Sequence, residues 1–385
     1  MYSDPTTRLH NRKSNGLYRH RLTLEGPQGT HVSIAGRKYL SFCSNDYLGL
    51  ANHPELIEAV CEGAIRYGVG AGASHLITGH HLSHHRLEEV LANFTGFPRA
   101  LLFSSGYMAN AGVVTALTSH GDAVFTDRLN HASLNDAALL SSAKLIRYPH
   151  LDLVVLEQRL AISQAKCKLV MTDTVFSMDG DIAPVAKLVA LCEKYDAWLL
   201  LDDAHGFGVL GQQGRGVVSH FNISSPRIIY MATLGKAAGV SGAFVAGQAE
   251  IIEILIQYAR SYIYTTATPP LLSYAVLKSL VLIEREEWRR KKLVQLTERL
   301  KRELQSLRWK LLLSVTPIQP LIIGGNSEAL QISNALRERG FLIPAIRPPT
   351  VPKGSARLRI SLSASHSIED VEQLAMVLRE LEKIR

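Results

Sequence analysis

The stretch WLLLDDAHGFG, residues 198–208, has four large apolar residues that lead directly into Asp202 and Asp203, and then into His205 and two glycines. A continuous apolar run of this kind predicts a strand that is buried on both faces. A carboxylate at the end of such a strand is costly to bury unless another group pairs with it. Because side chains alternate along a strand, the two aspartates cannot both face one ligand. The stretch therefore predicts a buried strand that presents one acid to a site, while the other acid bonds to the backbone of the turn.

Similar apolar runs lie on both sides of this strand, and helical segments separate most of them. Continuous apolar strands between helices predict an α/β fold with a mostly parallel sheet that is covered on both faces. Such sheets bind ligands at the carboxyl ends of their strands. The other runs are RALLFSS (99–105), DAVFTD (122–127), KLIRY (144–148), KLVMTDT (168–174), RIIYMAT (227–233) and GAFVAG (242–247).

The pattern changes after about residue 270, where a long helical stretch leads into short strands, a helix, further strands and a final helix. This order predicts a smaller α+β domain at the C-terminal end. We place the boundary at Thr268-Pro269-Pro270. The predicted units are an N-terminal segment (1–50) that packs on the small domain, a large cofactor-binding domain (51–270) and the small domain (271–385).

Composition excludes several classes of protein. The 42 basic and 34 acidic side chains give a net charge of +8, and 46% of the residues are hydrophobic. The densest charge run (284–304) mixes both signs at helical spacing, which is typical of a solvated helix face rather than a nucleic-acid surface. We find no signal peptide, no run of about 18 apolar residues and no CxxC pair, so we predict a cytoplasmic protein that binds neither nucleic acid nor membrane. The modest basic excess suits a small acidic substrate.

The predicted carboxyl ends of the strands carry residues that suit one cofactor. Ser105 precedes a predicted helix that begins at Gly106, and amide groups there could bind an anion or simply be capped by Ser105. Lys236 follows a buried strand, where loss of water makes a lysine amine nucleophilic. Pyridoxal 5′-phosphate needs a lysine for its aldehyde, an acid for its ring nitrogen and a helix N-terminus for its phosphate. Other polar residues at these ends are His131, Ser177, Asp202, His205 and Thr233.

The glycine-rich stretch GVGAG (68–72) resembles a dinucleotide fingerprint. It follows a helical segment rather than a strand, so the structural context of that fingerprint is missing. We expect a tight loop near the cofactor instead.

The histidine-rich stretch HHLSHH (80–85) has pairs at helical spacing that could bind zinc. No carboxylate follows until Glu88, and Ser83 predicts an N-cap for the next helix. We therefore predict surface histidines at a helix start and no metal.

Taken together, these motifs resemble the α-oxoamine synthases, which are pyridoxal-phosphate enzymes of fold type I that join an amino acid to an acyl thioester with loss of carbon dioxide. The resemblance covers about residues 19–380. It implies a large domain with a mostly parallel seven-stranded sheet between helices, and a smaller α+β C-terminal domain. The motifs are SNDYLGL, SGYMAN, TDTVFSMDGD, DDAHGFGVLGQQGRG, TLGKA and YTTATPP.

The resemblance also implies roles for particular residues. Lys236 would form a Schiff base with the cofactor, and Asp202 would pair with the ring nitrogen. His205 would hydrogen-bond the phenolic oxygen, and His131 would stack on the ring. These four are the implied catalytic residues. Further cofactor contacts are implied for Gly106, Tyr107, Ser177, Thr233, Thr265 and Thr266.

The implied amino-acid site contains Arg359, which would clamp the substrate carboxylate, and the nearby Asn45. Arg19, His131 and Thr350 also match substrate-contact positions. Residues 265–266 would reach the phosphate of a partner subunit, so the resemblance implies a homodimer with shared active sites.

The stretch AIRPPTVPKGSARLRISLSASH (345–366) is most similar to the biotin-pathway member of the family. That similarity implies L-alanine as the amino donor and a pimeloyl thioester, on coenzyme A or on a carrier protein, as the acyl donor. Glycine C-acetyltransferase is the alternative within the family.

Overall fold

The computed structural model describes residues 4–15 and 17–383. Its centre is a seven-stranded sheet whose strands are buried between layers of helices, and two smaller sheets lie beside it. The strands are β1 His31–Ile34, β2 Arg37–Ser41, β3 Arg99–Phe103, β4 Ala123–Asp127, β5 Lys144–Tyr148, β6 Lys168–Asp173, β7 Trp198–Asp202, β8 Ile228–Thr233, β9 Ala243–Gly247, β10 Lys310–Leu311, β11 Ile318–Gly324, β12 Phe341–Leu342, β13 Ala345–Ile346 and β14 Ala356–Ser361.

The central sheet has the order β3-β9-β8-β7-β6-β4-β5. β4, β5, β6, β7 and β8 are parallel to their neighbours in this group, whereas β9 runs antiparallel to both β3 and β8. The run 199–202 of β7 is buried on both faces, as a central strand requires. The predicted α/β fold and its mostly parallel seven-stranded sheet are confirmed.

Helices cover both faces of this sheet, and some of them begin at a residue whose side chain caps the first turn. Ser105 caps the fourth helix through a 3.3 Å bond from the Met108 amide to Ser105 Oγ. The helices are α1 Pro5–Ser14, α2 Pro54–Tyr67, α3 Leu82–Thr95, α4 Gly106–Leu117, α5 Ala132–Leu140, α6 Leu153–Ala161, α7 Val185–Lys194, α8 Val217–His220, α9 Ala249–Tyr258, α10 Arg260–Ile263, α11 Pro270–Arg285, α12 Glu287–Leu304, α13 Asn326–Glu338 and α14 Ile368–Lys383. A π-helix spans His75–Gly79, and a 3-10 turn spans Gln212–Gly214.

The predicted long helix after residue 270 is two helices, because Glu286 leaves the helical backbone conformation between α11 and α12. α11 packs against α2 and α3, while α12 packs against α14. A four-stranded antiparallel sheet, β10-β11-β14-β13, forms the core of the last part of the chain. α11 thus links the two parts, and we retain the division near residue 270 as a proposal.

The N-terminal segment joins the C-terminal part through a small sheet. β2 pairs with β1 in antiparallel fashion and with β12 in parallel fashion, so residues 40–41 lie beside residues 341–342. This pairing brings the loop after β2 to the carboxyl edge of the central sheet. Within 4–15 and 17–383, none of the helices has the length and apolar content that a membrane crossing needs.

Candidate functional site

Two carboxylates lie side by side at the carboxyl edge of the central sheet. Asp173 ends β6 and Asp202 ends β7, and the two are direct partners in the parallel register. Asp202 is buried, its Oδ2 accepts a 2.8 Å bond from Asn110 Nδ2, and its Oδ1 accepts a 3.1 Å bond from the Ala204 amide. Burial, with the Asp202 charge beside it, raises the pKa of Asp173 well above its usual range. The edge therefore holds Asp202 in one fixed orientation.

Asp203 faces the opposite side of the sheet and has no solvent exposure. Its Oδ2 accepts a 2.6 Å bond from the Tyr230 hydroxyl and a 2.8 Å bond from the Val217 amide, and the Thr174 hydroxyl donates to its Oδ1. Burial raises the pKa of Asp203 to about 6, although these hydrogen bonds act in the other direction. Asp203 therefore does bond to backbone, but to the amide that starts α8 rather than to the turn of residues 204–208 as predicted.

A chain of polar side chains leads to Lys236. Lys236 Nζ lies 3.0 Å from His205 Nε2, and His205 Nδ1 lies 2.6 Å from the Tyr47 hydroxyl. Burial lowers the pKa of Lys236 to about 8, while the carboxylates of Asp202 and Asp173 oppose the shift. Burial, together with the cations of Lys236 and Arg359, lowers the pKa of His205 well below its usual range. A neutral imidazole thus stands beside an amine that can lose its proton near neutral pH.

Arg359 connects the small sheet to this edge. It lies on β14, where its Nε donates a 2.5 Å bond to the Ser177 carbonyl and its Nη2 a 3.2 Å bond to Asn45 Oδ1. A further 2.7 Å bond from Nη1 to Ser361 Oγ fixes the guanidinium plane. Three parts of the chain therefore meet around one buried cation.

His131 stands at the start of α5 and is exposed toward the open side of the edge. Its amide donates a 3.0 Å bond to Asp173 Oδ2, and its Nδ1 lies 2.8 Å from Ser133 Oγ. A cavity of about 570 Å³ begins at His131 and is also lined by Ser177 and Thr350. Asp173 thus holds the backbone of His131, while the residue itself is exposed to solvent.

The start of α4 lies on the same edge and stays a candidate anion site. Its first amides, at Gly106 and Tyr107, have no partners within the helix because they precede the first turn. A Cβ built on Gly106 would meet nothing closer than the Met231 side chain at 3.8 Å, so this helix end is open. Thr233 ends β8, and its hydroxyl donates a 3.0 Å bond to the Gly242 carbonyl. The same oxygen accepts a 3.3 Å bond from the Gly235 amide.

Other predicted site residues lie outside this buried group. The Tyr107 side chain is exposed and donates a 2.8 Å bond to Asp136 Oδ2, so its amide is the part that faces the helix start. Thr266 and Arg19 are exposed, and Thr265 is partly buried. For these side chains, a role in the site stays a prediction.

Three residues of the site were not singled out from the sequence. Asp173 contacts His131, Asn110 contacts Asp202, and Tyr47 contacts His205. Each is inside a motif that carried the family resemblance, but motif membership does not say which side chain points inward. These contacts form only because distant segments of the chain meet in the fold.

The histidine-rich stretch departs from its prediction. The N-cap of α3 is His81 rather than Ser83, because the His81 amide donates a 3.0 Å bond to His84 Nδ1 in a reciprocal cap. Ser83 is buried and donates a 3.0 Å bond to the Pro270 carbonyl. His84 has no solvent exposure, so the histidines are not all on the surface as predicted.

The donor set at this edge fits pyridoxal phosphate on chemical grounds. Asp202 is a buried acid held by Asn110, Lys236 is an amine with a lowered pKa, and the start of α4 offers free amides. Each matches one part of the cofactor: the ring nitrogen, the aldehyde and the phosphate.

Comparison with known proteins agrees with this fit. Residues 37–378 match the family model for aminotransferases of class I and II. An 8-amino-7-oxononanoate synthase of Nitrosospira multiformis is 71% identical over 375 residues, which cover 97% of this chain and 95% of that protein. The chain belongs to the class I and II aminotransferase family, among the 8-amino-7-oxononanoate synthases. The enzyme of that name from Nitrosomonas eutropha is 65% identical, with 99% of each chain covered.

Solved structures place the family on the same fold. The 8-amino-7-oxononanoate synthase of Francisella tularensis has a TM-score of 0.79 and 33% identity, with 90% of this chain and 98% of that chain covered. A serine palmitoyltransferase from S. paucimobilis with a bound PLP–myriocin aldimine has a TM-score of 0.92 and 26% identity, with 98% and 96% covered. The chain therefore has the fold of the solved 8-amino-7-oxononanoate synthase.

Proposed function

We propose that this enzyme condenses L-alanine with a pimeloyl thioester and releases carbon dioxide, to form 8-amino-7-oxononanoate for biotin biosynthesis. It is an acyltransferase whose cofactor is pyridoxal 5′-phosphate. When bound, the cofactor supplies an electron sink for the negative charge that forms at the α-carbon of alanine. The observation that carries the proposal is the contact between Lys236 and His205 beside the buried Asp202, in a chain 71% identical to a synthase of this name.

Lys236 is the residue that moves protons. Its pKa of about 8 leaves a share of the amine neutral near pH 7, so Nζ can take the α-proton of alanine and later return one. His205 stays neutral and keeps Nζ in place through the 3.0 Å contact. Asp202, fixed by Asn110, would hold the proton on the ring nitrogen.

Arg359 would bind the carboxylate of alanine. The guanidinium is buried and already fixed by the Ser177 carbonyl and by Ser361, so little side-chain entropy is lost when a carboxylate binds. Asn45, 3.2 Å from Arg359 Nη2, would border the same subsite. His131 and Thr350 lie on the neighbouring cavity of about 570 Å³, which has room for an acyl chain.

We also propose a homodimer with shared sites. Thr266 is exposed in the single chain, although the resemblance implies a phosphate contact for it and for Thr265. Large apolar side chains in the same part of the molecule are also exposed: Ile77 is 75% and Tyr264 is 71% accessible. A second copy that covers these side chains would bring its own cofactor against residues 265–266 of the first chain.

All four cysteines are free, which suits the reducing cytoplasm.

The proposal is tested by turnover of the purified enzyme with L-alanine and pimeloyl-coenzyme A. We expect 8-amino-7-oxononanoate and free coenzyme A, and much slower turnover with glycine and acetyl-coenzyme A. Lys236→Ala should lose both turnover and the absorbance of the lysine-bound cofactor. Preference for glycine and acetyl-coenzyme A, or full activity in Lys236→Ala, would contradict it.

A further inference from the structure

A group of histidines lies where the glycine-rich segment enters α3, beside the segment around Thr268. We name it the histidine cluster: His75 on the π-helix, His80 in the following turn, and His81, His84 and His85 at the start of α3. Glu88 is one turn further along α3. A cavity of about 340 Å³ is lined by His75, His80, His85 and Glu88.

One member of the cluster, His84, is held in place by the fold. His84 Nδ1 accepts from the His81 amide at 3.0 Å, and His84 Nε2 lies 2.9 Å from the Thr268 carbonyl, to which it donates. Both ring nitrogens of His84 are therefore occupied. This anchoring fixes the start of α3 and with it the directions of His85 and Glu88.

His80 is arranged differently. Its Nδ1 shares a hydrogen bond with His75 Nδ1 at 2.9 Å, which leaves Nε2 with its own lone pair or proton on the cavity side. His80 Nε2 faces Glu88 Oε2 at 3.9 Å, which is too long for a hydrogen bond. Two donors that bind one cation at roughly 2.0–2.2 Å are separated by about 3–4 Å. The 3.9 Å between His80 Nε2 and Glu88 Oε2 is therefore a distance at which both atoms could bind one metal ion.

His85 and Glu88 complete the set. They are three residues apart on α3 and so share one face of the helix. The potential ligand atoms of His80, His85 and Glu88 all lie within 4.8 Å of one another. Glu88 Oε1 accepts a 3.0 Å bond from the Leu102 amide, so its other oxygen is oriented toward the cavity.

We propose that His80, His85 and Glu88 bind one divalent transition-metal ion of the zinc class, with His75 as the hydrogen-bond partner that orients His80. Two imidazole nitrogens and one carboxylate oxygen suit zinc, cobalt or nickel rather than magnesium or calcium. The fourth coordination position opens into the cavity. The sequence analysis noted Glu88 but predicted no metal, because the approach of Glu88 to His80 depends on the fold.

The test is equilibrium dialysis of the untagged holoenzyme against Zn²⁺, with visible absorbance of the Co²⁺ complex as a second measurement. We expect one Zn²⁺ per chain, no competition by Mg²⁺ and a tetrahedral Co²⁺ spectrum. His75→Asn should weaken Zn²⁺ binding by about 10- to 100-fold, as is typical when an outer hydrogen-bond partner is lost. His85→Asn and Glu88→Gln should weaken it by more than that.

Matched variants separate this site from general histidine binding. His85 is exposed, and the side-chain oxygen that Glu88→Gln retains can still accept from the Leu102 amide, so both variants should fold, which far-ultraviolet circular dichroism verifies. His120→Asn changes another exposed histidine and should leave Zn²⁺ binding unchanged. The proposal is overturned if the wild type binds no Zn²⁺, if binding survives in both ligand variants, or if His120→Asn weakens it equally.

Discussion

At the scale of single residues, the site depends on the balance between burial and charge at Lys236. Burial lowers the pKa of this amine, whereas Asp202 and Asp173 raise it and Arg359 lowers it further. The outcome, about 8, lies well below the usual value for lysine. The amine therefore becomes reactive over a pH range in which an exposed lysine would be protonated.

This balance predicts the pH dependence of cofactor uptake by the stripped enzyme. The neutral form of Lys236 grows as pH rises through about 8, so the rate of uptake should have its midpoint there. Asp202→Asn removes a charge that raises the pKa, and it should move the midpoint to lower pH. Arg359→Met removes a charge that lowers it and should move the midpoint upward. Rates are followed by absorbance of the bound cofactor, and a wild-type midpoint near 10 would contradict the burial of this amine.

The two adjacent aspartates should differ in what their removal costs. Asp202→Asn should abolish most turnover, because Asp202 lies at the proposed cofactor site, whereas Asp203→Asn should retain turnover and lower stability. Burial raises the pKa of Asp203 from 3.8, its ordinary value, to about 6 in the folded protein. The contribution of Asp203 to the free energy of unfolding is therefore full below about pH 4 and is lost as pH rises to about 6. The stability deficit of Asp203→Asn should shrink across that window, by up to roughly 3 kcal/mol. Urea unfolding at several pH values measures it, and a deficit that grows with pH would reject this sign.

At the scale of elements, the loop after β6 (residues 176–181) fastens the two parts of the chain together. Arg359 and Arg357 hold its backbone from β14, and Arg357 also pairs with Asp179 at 2.7 Å. The Gly180 carbonyl accepts from Ser314 and from another hydroxyl of the same segment. The loop carries Ser177, so the positions of the small sheet and of the site depend on each other.

Substitution of Gly180 tests how tightly this loop is packed. It has a φ of +71°, and an added Cβ would lie 2.4 Å from the Ile318 carbonyl oxygen, which is backbone and cannot turn aside. Gly96 has a similar φ of +78° with nothing within 4 Å, so it is a matched control for backbone strain alone. Gly96→Ala should cost about 1–2 kcal/mol. Gly180→Ala should cost several kcal/mol more and raise the KM for alanine; equal unfolding midpoints for the two variants would exclude this packing.

At the scale of the whole molecule, a single chain brings together three distant parts: the segment before α2, the edge of the central sheet, and β14. Tyr47 and Asn45 come from the first, Lys236 and His205 from the second, and Arg359 from the third. A dimer with shared sites would add residues 265–266 of a second copy.

Mixing variants tests that dimer. Lys236→Ala and the double variant Thr265→Ala/Thr266→Ala should each be weak at limiting cofactor. If the threonines serve the site of the partner, a hybrid dimer contains one site with both intact sets. Random exchange of subunits should then recover about one quarter of wild-type activity. Absence of recovery, with hybrid formation verified by mass spectrometry, would show that lysine and threonines act within one chain.

The sequence by itself determined the elements and the principal chemistry of this protein. Apolar periodicity depends on local neighbours, so the strands of the central sheet and the start of α4 at Gly106 were predictable. The motifs also singled out Lys236, Asp202 and His205, because each lies at or just after the end of a recognisable buried strand. The opposite faces of Asp202 and Asp203 followed from strand alternation alone.

The tertiary structure decided which distant groups meet. Asn110 fixes Asp202 across 92 residues, and Tyr47 reaches His205 across 158. The sequence misplaced the cap of α3 and contained no sign that His84 is buried, since that burial depends on the segment around Thr268. Local pattern specifies the face on which a side chain lies, whereas its partner and its pKa depend on how the chain folds back, and that information is spread over the whole sequence.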